Sequence, residues 1–186
     1  MKEIVMATGN VGKWEIAKDI FGSYNLKLLR EKIDTPEIQS SSVEEVSLHS
    51  AKYAAEKLNK PVIKSDVGYY IEELGGFPGP FVKFINEMLK PEDILNMLDG
   101  KENRKIILKE CLTYYEPGKE PVQFISEEEA NISNYKAGEG STFDQILILK
   151  GFDKPKGTYP SSINMDHFKS NLKIYHDVAK YLEESE

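Results

Sequence analysis

A mixed α/β fold is the architecture this sequence predicts, and three observations carry the prediction. Apolar strand-like runs alternate with helical patterns from the N-terminus to Asp66, as in sheets built from parallel strands. Two long β-rich runs, 105–115 and 122–132, flank Glu116-Pro117-Gly118-Lys119, a hairpin signal with Pro-Gly as the turn. An amphipathic helical pattern over about 166–184 closes the chain. Parallel alternation followed by an antiparallel hairpin gives a mixed sheet, and the hairpin is a candidate second lobe.

The elements follow in order. Ile4-Val5-Met6-Ala7 is an apolar strand that runs into Thr8-Gly9-Asn10-Val11-Gly12-Lys13 and a helix over 10–21, with Asn10 suited to cap it. Leu26–Leu29 is a second strand. The polar stretch 34–42 ends in serines that can cap the next helix, over about 43–58, whose face carries Val43, Val46, Ala51, Ala54 and Leu58. Pro61-Val62-Ile63 begins a buried strand reaching Asp66. The turn-rich Leu74-Gly75-Gly76-Phe77-Pro78-Gly79-Pro80 leads to helices over 81–89 and 91–98. After the hairpin come a strand at about 143–149 and the closing helix, striped by Phe168, Leu172, Tyr175, Ala179 and Leu182. Lys169, Lys173, His176 and Lys180 run beside that stripe, as a solvated flank or as a source of cations for a pocket.

Composition narrows the function. A chain of 186 residues is one domain, or one domain with two lobes, and can bury a real core. A net charge of −7 argues against nonspecific nucleic-acid or anionic-membrane binding. No apolar run approaches the roughly 18 residues of a membrane span, and the N-terminus lacks a signal-peptide design, so a soluble cytoplasmic protein is expected. Cys111 is the sole cysteine, which excludes a disulfide framework or a cysteine zinc site and suits a small buried hydrophobe. His49, His167 and His176 show no metal-ligand spacing.

A glycine-bearing turn that opens a helix is an anion site, because N–H groups and the positive end of the helix dipole converge there. Lys13 opposes that dipole and is locally unfavourable unless it faces an anion. Neither the P-loop spacing nor the three-glycine dinucleotide pattern is present, so an ordinary turn with a solvated Lys13 is the competing reading. Asp66 ends an apolar run, where open α/β sheets hold ligands, and a carboxylate there calls for a partner or a metal. Glu37 lies in a polar loop. Lys52 falls at the margin of the apolar arc of the 43–58 helix, placed to reach toward a cleft or to extend into water. Together Lys13, Glu37, Asp66 and Lys52 are the groups that metal-assisted attack on a polyphosphate requires.

The chain resembles the inosine triphosphate pyrophosphatase family in Ala7-Thr8-Gly9-Asn10-Val11-Gly12-Lys13, Pro36-Glu37-Ile38-Gln39, Pro61-Val62-Ile63-Lys64-Ser65-Asp66 and Leu74-Gly75-Gly76-Phe77-Pro78-Gly79-Pro80-Phe81-Val82-Lys83-Phe84. The matches fall in the family's order over most of the first half, and the second half is weaker. The resemblance implies an elongated mixed sheet flanked by helices, one domain over 1–186 with two lobes and a central cleft, and a homodimer. It implies Mg²⁺-dependent hydrolysis of non-canonical purine nucleoside triphosphates to the monophosphate and pyrophosphate. By position, Thr8, Asn10 and Lys13 would hold phosphates. Glu37 and Asp66 would hold the metal, and Asp66 would act as general base.

Departures from the pattern matter equally. Ser65-Asp66 stands where the family has two acids, and Ser50 where it has a phosphate-facing lysine, which Lys52 could replace. At the base end, Ser141-Thr142-Phe143-Asp144-Gln145 keeps Phe143 and Asp144 but loses one aromatic. Ser162-Ile163-Asn164-Met165-Asp166-His167-Phe168 keeps only His167 of the purine readers. Lost readers weaken discrimination between bases, and a nucleotide-binding protein with little or no hydrolytic activity is the alternative.

Overall fold

The computed structural model describes residues 2–185 and has a mixed α/β fold. Strand β1 (Lys2–Ala7) pairs in parallel with β2 (Leu26–Glu31) from Lys2 opposite Leu26 to Ala7 opposite Glu31. On its other side β1 pairs in parallel with β3 (Val62–Ile71) at Val5–Val62 and Met6–Ile63. The seven-stranded sheet continues through β5 (Lys105–Tyr115), β6 (Val122–Ile132) and β7 (Leu147–Ile148), in the order β2-β1-β3-β5-β6-β7. Strand β4 (Pro78–Gly79) pairs antiparallel with β3.

The chain divides into two compact units. Unit 1 comprises 1–66, 111–126 and 169–186; unit 2 comprises 67–110 and 127–168. In unit 1, helix α1 (Val11–Gly22) buries Ala17 and Phe21, and helix α2 (Val43–Leu58) packs Ala51, Ala54 and Ala55 with Val5, Ala7, Val62 and Tyr115. Small residues at three- and four-residue spacing make one flat face on α2, which sits on the branched side chains of the strands. The Ser42 hydroxyl caps α2 by accepting from the Glu45 N–H at 3.2 Å, a contact worth about 1 kcal/mol. In unit 2, helices α3 (Val82–Met88) and α4 (Pro91–Met97) bury Ile85 and Ile94 in a core with Ile71, Ile106, Ile132, Phe143 and Ile146.

Four expectations change. Strand β3 continues past Asp66 to Ile71. The predicted strand over 143–149 shrinks to Leu147–Ile148, because the N–H groups of Ile146 and Leu147 both donate to the Phe143 carbonyl, at 3.1 and 2.8 Å, and coil the chain. The closing helix is two helices, α5 (Ser161–Ser170) and α6 (Lys173–Glu184). Ser170 and Asn171 are weak helix formers, and the buried stripe of Leu172, Tyr175, Ala179 and Leu182 begins only at the restart. The hairpin of β5 and β6 is not a lobe of its own, since its tip belongs to unit 1 and its base to unit 2. Among the described residues no helix is long and apolar enough to cross a membrane.

Candidate functional site

Where β1 ends, short side chains organise the turn into α1. The Thr8 N–H donates to the Glu31 carbonyl at 3.0 Å, which holds the end of β1 against β2. The Thr8 hydroxyl accepts from the Asn10 N–H at 3.1 Å, and the Asn10 side-chain Oδ1 accepts from the Lys13 N–H at 2.9 Å. The cap satisfies the third N–H of α1, while those of Val11 and Gly12 have no acceptor within the helix by its geometry. Gly9 has no positive φ, and a Cβ built on it would meet nothing within 4 Å. Neither backbone strain nor packing therefore accounts for a glycine here.

Lys13 turns back from α1 and donates to the Ser65 hydroxyl at 2.7 Å. Its Nζ also lies 5.9 Å from the centre of the buried Tyr175 ring on α6. The register explains the meeting with Ser65. Pairing of β1 with β3 stops at Met6–Ile63, so the next residues of β3, Lys64 to Asp66, run level with the turn that begins at Thr8. Asp66 thus lies beyond the last parallel pair, although not at the end of its own strand.

Lys64 is the charged residue that sequence reasoning passed over. Burial pushes its ammonium below the usual lysine range; Asp66 and Glu37 oppose the shift and Lys13 adds to it. Two carboxylates and a second ammonium group therefore act on Lys64 at this end of unit 1, with Glu37 supplied by the exposed loop between β2 and α2. The available signal was a charge interrupting Val62-Ile63, two residues before Asp66 and on the same strand face. The backbone of Lys64 is held by a directed chain of hydrogen bonds: Gln123 Nε2 donates to Thr113 Oγ1 at 3.1 Å, Thr113 meets Ser47 Oγ at 2.8 Å, and Ser47 Oγ donates to the Lys64 carbonyl at 3.1 Å. Ser47 and Thr113 are fully buried.

Lys52 on α2 lies with Nζ 5.7 Å from the centre of the Tyr115 ring, which packs with Val5 and Ala7 of β1. Ser50 is 2% exposed, inside the apolar face of α2.

The base-end candidates belong to unit 2. Phe143 is 1% exposed and meets Tyr69 edge-on at 5.0 Å, so its ring forms part of the core. Asp144 accepts from Lys156 Nζ at 2.7 Å and from the Ser141 N–H at 3.0 Å. Burial raises its carboxyl, but the Lys156 ion pair and Ser141 outweigh it and hold the group below its ordinary value. Beside it the Glu139 N–H donates to the Gly157 carbonyl at 3.0 Å, and the Gly157 N–H donates to the Asp144 carbonyl at 2.6 Å. His167 on α5 bonds Glu128 through Nε2 at 2.8 Å and meets Phe152 edge-on at 5.3 Å.

The donor set suits one kind of metal site. Among the described residues no three Asp, Glu, His or Cys side chains gather to hold an ion. Glu37 and Asp66, both acting on Lys64, match the magnesium pattern of one or two carboxylates completed by waters and substrate phosphates.

Comparison with known proteins shows the family. The Ham1 family model matches residues 4–163. A dITP/XTP pyrophosphatase of Methanopyrus kandleri is 41% identical over 152 residues, covering 81% of each chain. Another from Methanosarcina acetivorans is 38% identical over 152 residues, covering 81% of this chain and 83% of the relative. The solved Ham1 protein of Staphylococcus aureus superimposes with a TM-score of 0.79 at 24% identity, covering 100% of both chains.

Proposed function

Because this chain belongs to the Ham1 family, we propose that it is a nucleoside triphosphate pyrophosphatase acting on non-canonical purine nucleotides such as ITP, dITP and XTP. The observation that carries the reading is the meeting of Lys13, at the mouth of α1, with the Ser65–Asp66 end of the β1–β3 pair. It brings an anion site and a carboxylate together at the carboxyl end of parallel strands, as ligand sites in open α/β sheets require.

In this reading the polyphosphate lies against the α1 mouth. Thr8 and Asn10 fix the turn, Gly9 admits the phosphate close to the backbone, and Lys13 leaves the Ser65 hydroxyl for a phosphate oxygen. Glu37 and Asp66 hold Mg²⁺, which when bound supplies charge neutralisation across the phosphates. Asp66 accepts a proton from the attacking water. The water oxygen bonds to the α-phosphorus, the bond from that phosphorus to the bridging oxygen breaks, and pyrophosphate leaves with the electron pair. Lys13 and the α1 N–H groups stabilise the charge that develops.

At the base end, His167 is the proposed reader, held in orientation by Glu128. Phe143 and Asp144 act through the loop they fasten. Lys52, over the Tyr115 ring that packs with Ala7 at the end of β1, supplies a further cation toward the phosphates. A homodimer in the cytoplasm completes the proposal; exposed Phe77, Phe84 and Met88 in unit 2 offer apolar surface for a second copy, and sedimentation equilibrium measures the mass directly.

Pyrophosphate release with Mg²⁺ across ITP, dITP, XTP and the normal triphosphates tests the reading. Turnover concentrated on the first three is expected, together with at least a hundred-fold loss of kcat in Asp66→Asn, since base catalysis contributes about 10²–10⁴-fold. A folded protein that turns over none of them would refute it.

A further inference from the structure

Strand β3 presents a lysine whose position has no counterpart in the roles assigned so far. Lys64 shares a strand face with Asp66. Continuing the Val5–Val62 and Met6–Ile63 register sets it level with Ala7, immediately before the turn that opens α1. Its charged neighbours are Asp66, Lys13 and Glu37, so two ammonium groups face one small region. The Asp66 and Glu37 carboxylates offset the two ammonium groups, and carboxylates taken up by a metal ion would leave both ammonium groups to an anionic ligand. The protein fixes this residue, because the bonds from Gln123 through Thr113 and Ser47 end on the Lys64 carbonyl. On helix α2, Ser50 is a buried hydroxyl, and the Lys52 ammonium lies over Tyr115.

We propose that Lys64 is a substrate-binding residue, whose ammonium engages the polyphosphate beside Lys13 and supplies from strand β3 the positive charge that helix α2 lacks at Ser50. The inference rests on the pyrophosphatase reading for its substrate, but its chemistry is that of polyphosphate binding and is measurable without turnover.

Inorganic pyrophosphate with Mg²⁺ is the probe, titrated calorimetrically into wild type, Lys64→Met, Lys64→Arg and, as a control with the same change in net charge, Lys57→Met. A hydrogen bond to a charged group is worth about ten- to a hundred-fold in affinity. Lys64→Met should therefore weaken pyrophosphate binding at least tenfold and raise KM for the triphosphate, with Lys64→Arg recovering most of the loss and Lys57→Met unchanged. Circular dichroism establishes that each variant is folded. Equal affinity in wild type and Lys64→Met overturns the proposal, as does an Arg variant no better than the Met variant. If wild type hydrolyses ITP and Lys64→Met matches it in KM and in pyrophosphate affinity, Lys64 is excluded while the pyrophosphatase reading stands. If pyrophosphate binding depends on Lys64 but no triphosphate is cleaved, the reverse holds.

Discussion

Replacing Asp144 by Asn separates the carboxylate's charge from its shape. The ion pair with Lys156 Nζ at 2.7 Å becomes a bond from a charged donor to a neutral acceptor, while the bond from the Ser141 N–H at 3.0 Å keeps its acceptor. Both members of the ion pair are less than a third exposed, at 32% and 28%, so solvent screening is incomplete and the loss belongs with hydrogen bonds to charged groups, about 1.5–3 kcal/mol. In a chain of this size each kcal/mol corresponds to about 2–4 °C in Tm. Thermal unfolding at pH 7 should therefore show a drop of roughly 3–12 °C. The sign with pH is fixed by the carboxyl being held below its ordinary value in the folded state. A depressed carboxylate contributes stability that is complete above its unfolded value, near about 3.9, and is lost as the pH falls through the folded value. The gap between wild type and Asp144→Asn should thus be constant from pH 7 to about pH 5 and close below about pH 4. A gap that persists undiminished in acid would refute the electrostatic account and leave shape as the cause.

Two further outcomes concern the same unit. Phe143→Leu should lower stability by roughly 1–2 kcal/mol in urea unfolding, through lost aromatic contact with Tyr69, yet leave KM for ITP unchanged; a raised KM with unaltered stability would restore Phe143 as a base platform. Gly138 has φ 77°, and a Cβ there would lie 2.1 Å from the Gly157 backbone carbon. Gly138→Ala should therefore destabilise the fold by at least about 2 kcal/mol, and an alanine variant with wild-type Tm would show that the crossing of these two loops is not tight.

The sequence was most readable where local rules and burial agree. The α2 span of Val43–Leu58 follows from its serine cap and apolar spacing, and the structure reproduces both ends. Cys111 is fully buried, as a lone cysteine in a strand suggests. The capped turn after β1 was legible because Asn10 and the helix it opens are adjacent in sequence. What escaped was tertiary. The proximity of Lys13 to Ser65 depends on the β1–β3 register, which no periodicity reveals. Lys64 appeared as an incidental charge in an apolar strand because its neighbours come from three separate stretches. Phe143 sits in an apolar run that reads as a strand, and only the bonds to its carbonyl disclose a turn. The helix break at Asn171 was hidden because the apolar spacing carries across it.

The contact between Lys13 and Tyr175 joins the first helix of the chain to the last. Synthesis proceeds from the N-terminus, so the turn bearing Lys13 emerges early and waits for almost the entire chain before its aromatic neighbour exists. Unit 1 is likewise collected from three stretches, the last beginning at residue 169. Unit 1 can therefore reach its full set of contacts only once the C-terminal helix has been released and has docked.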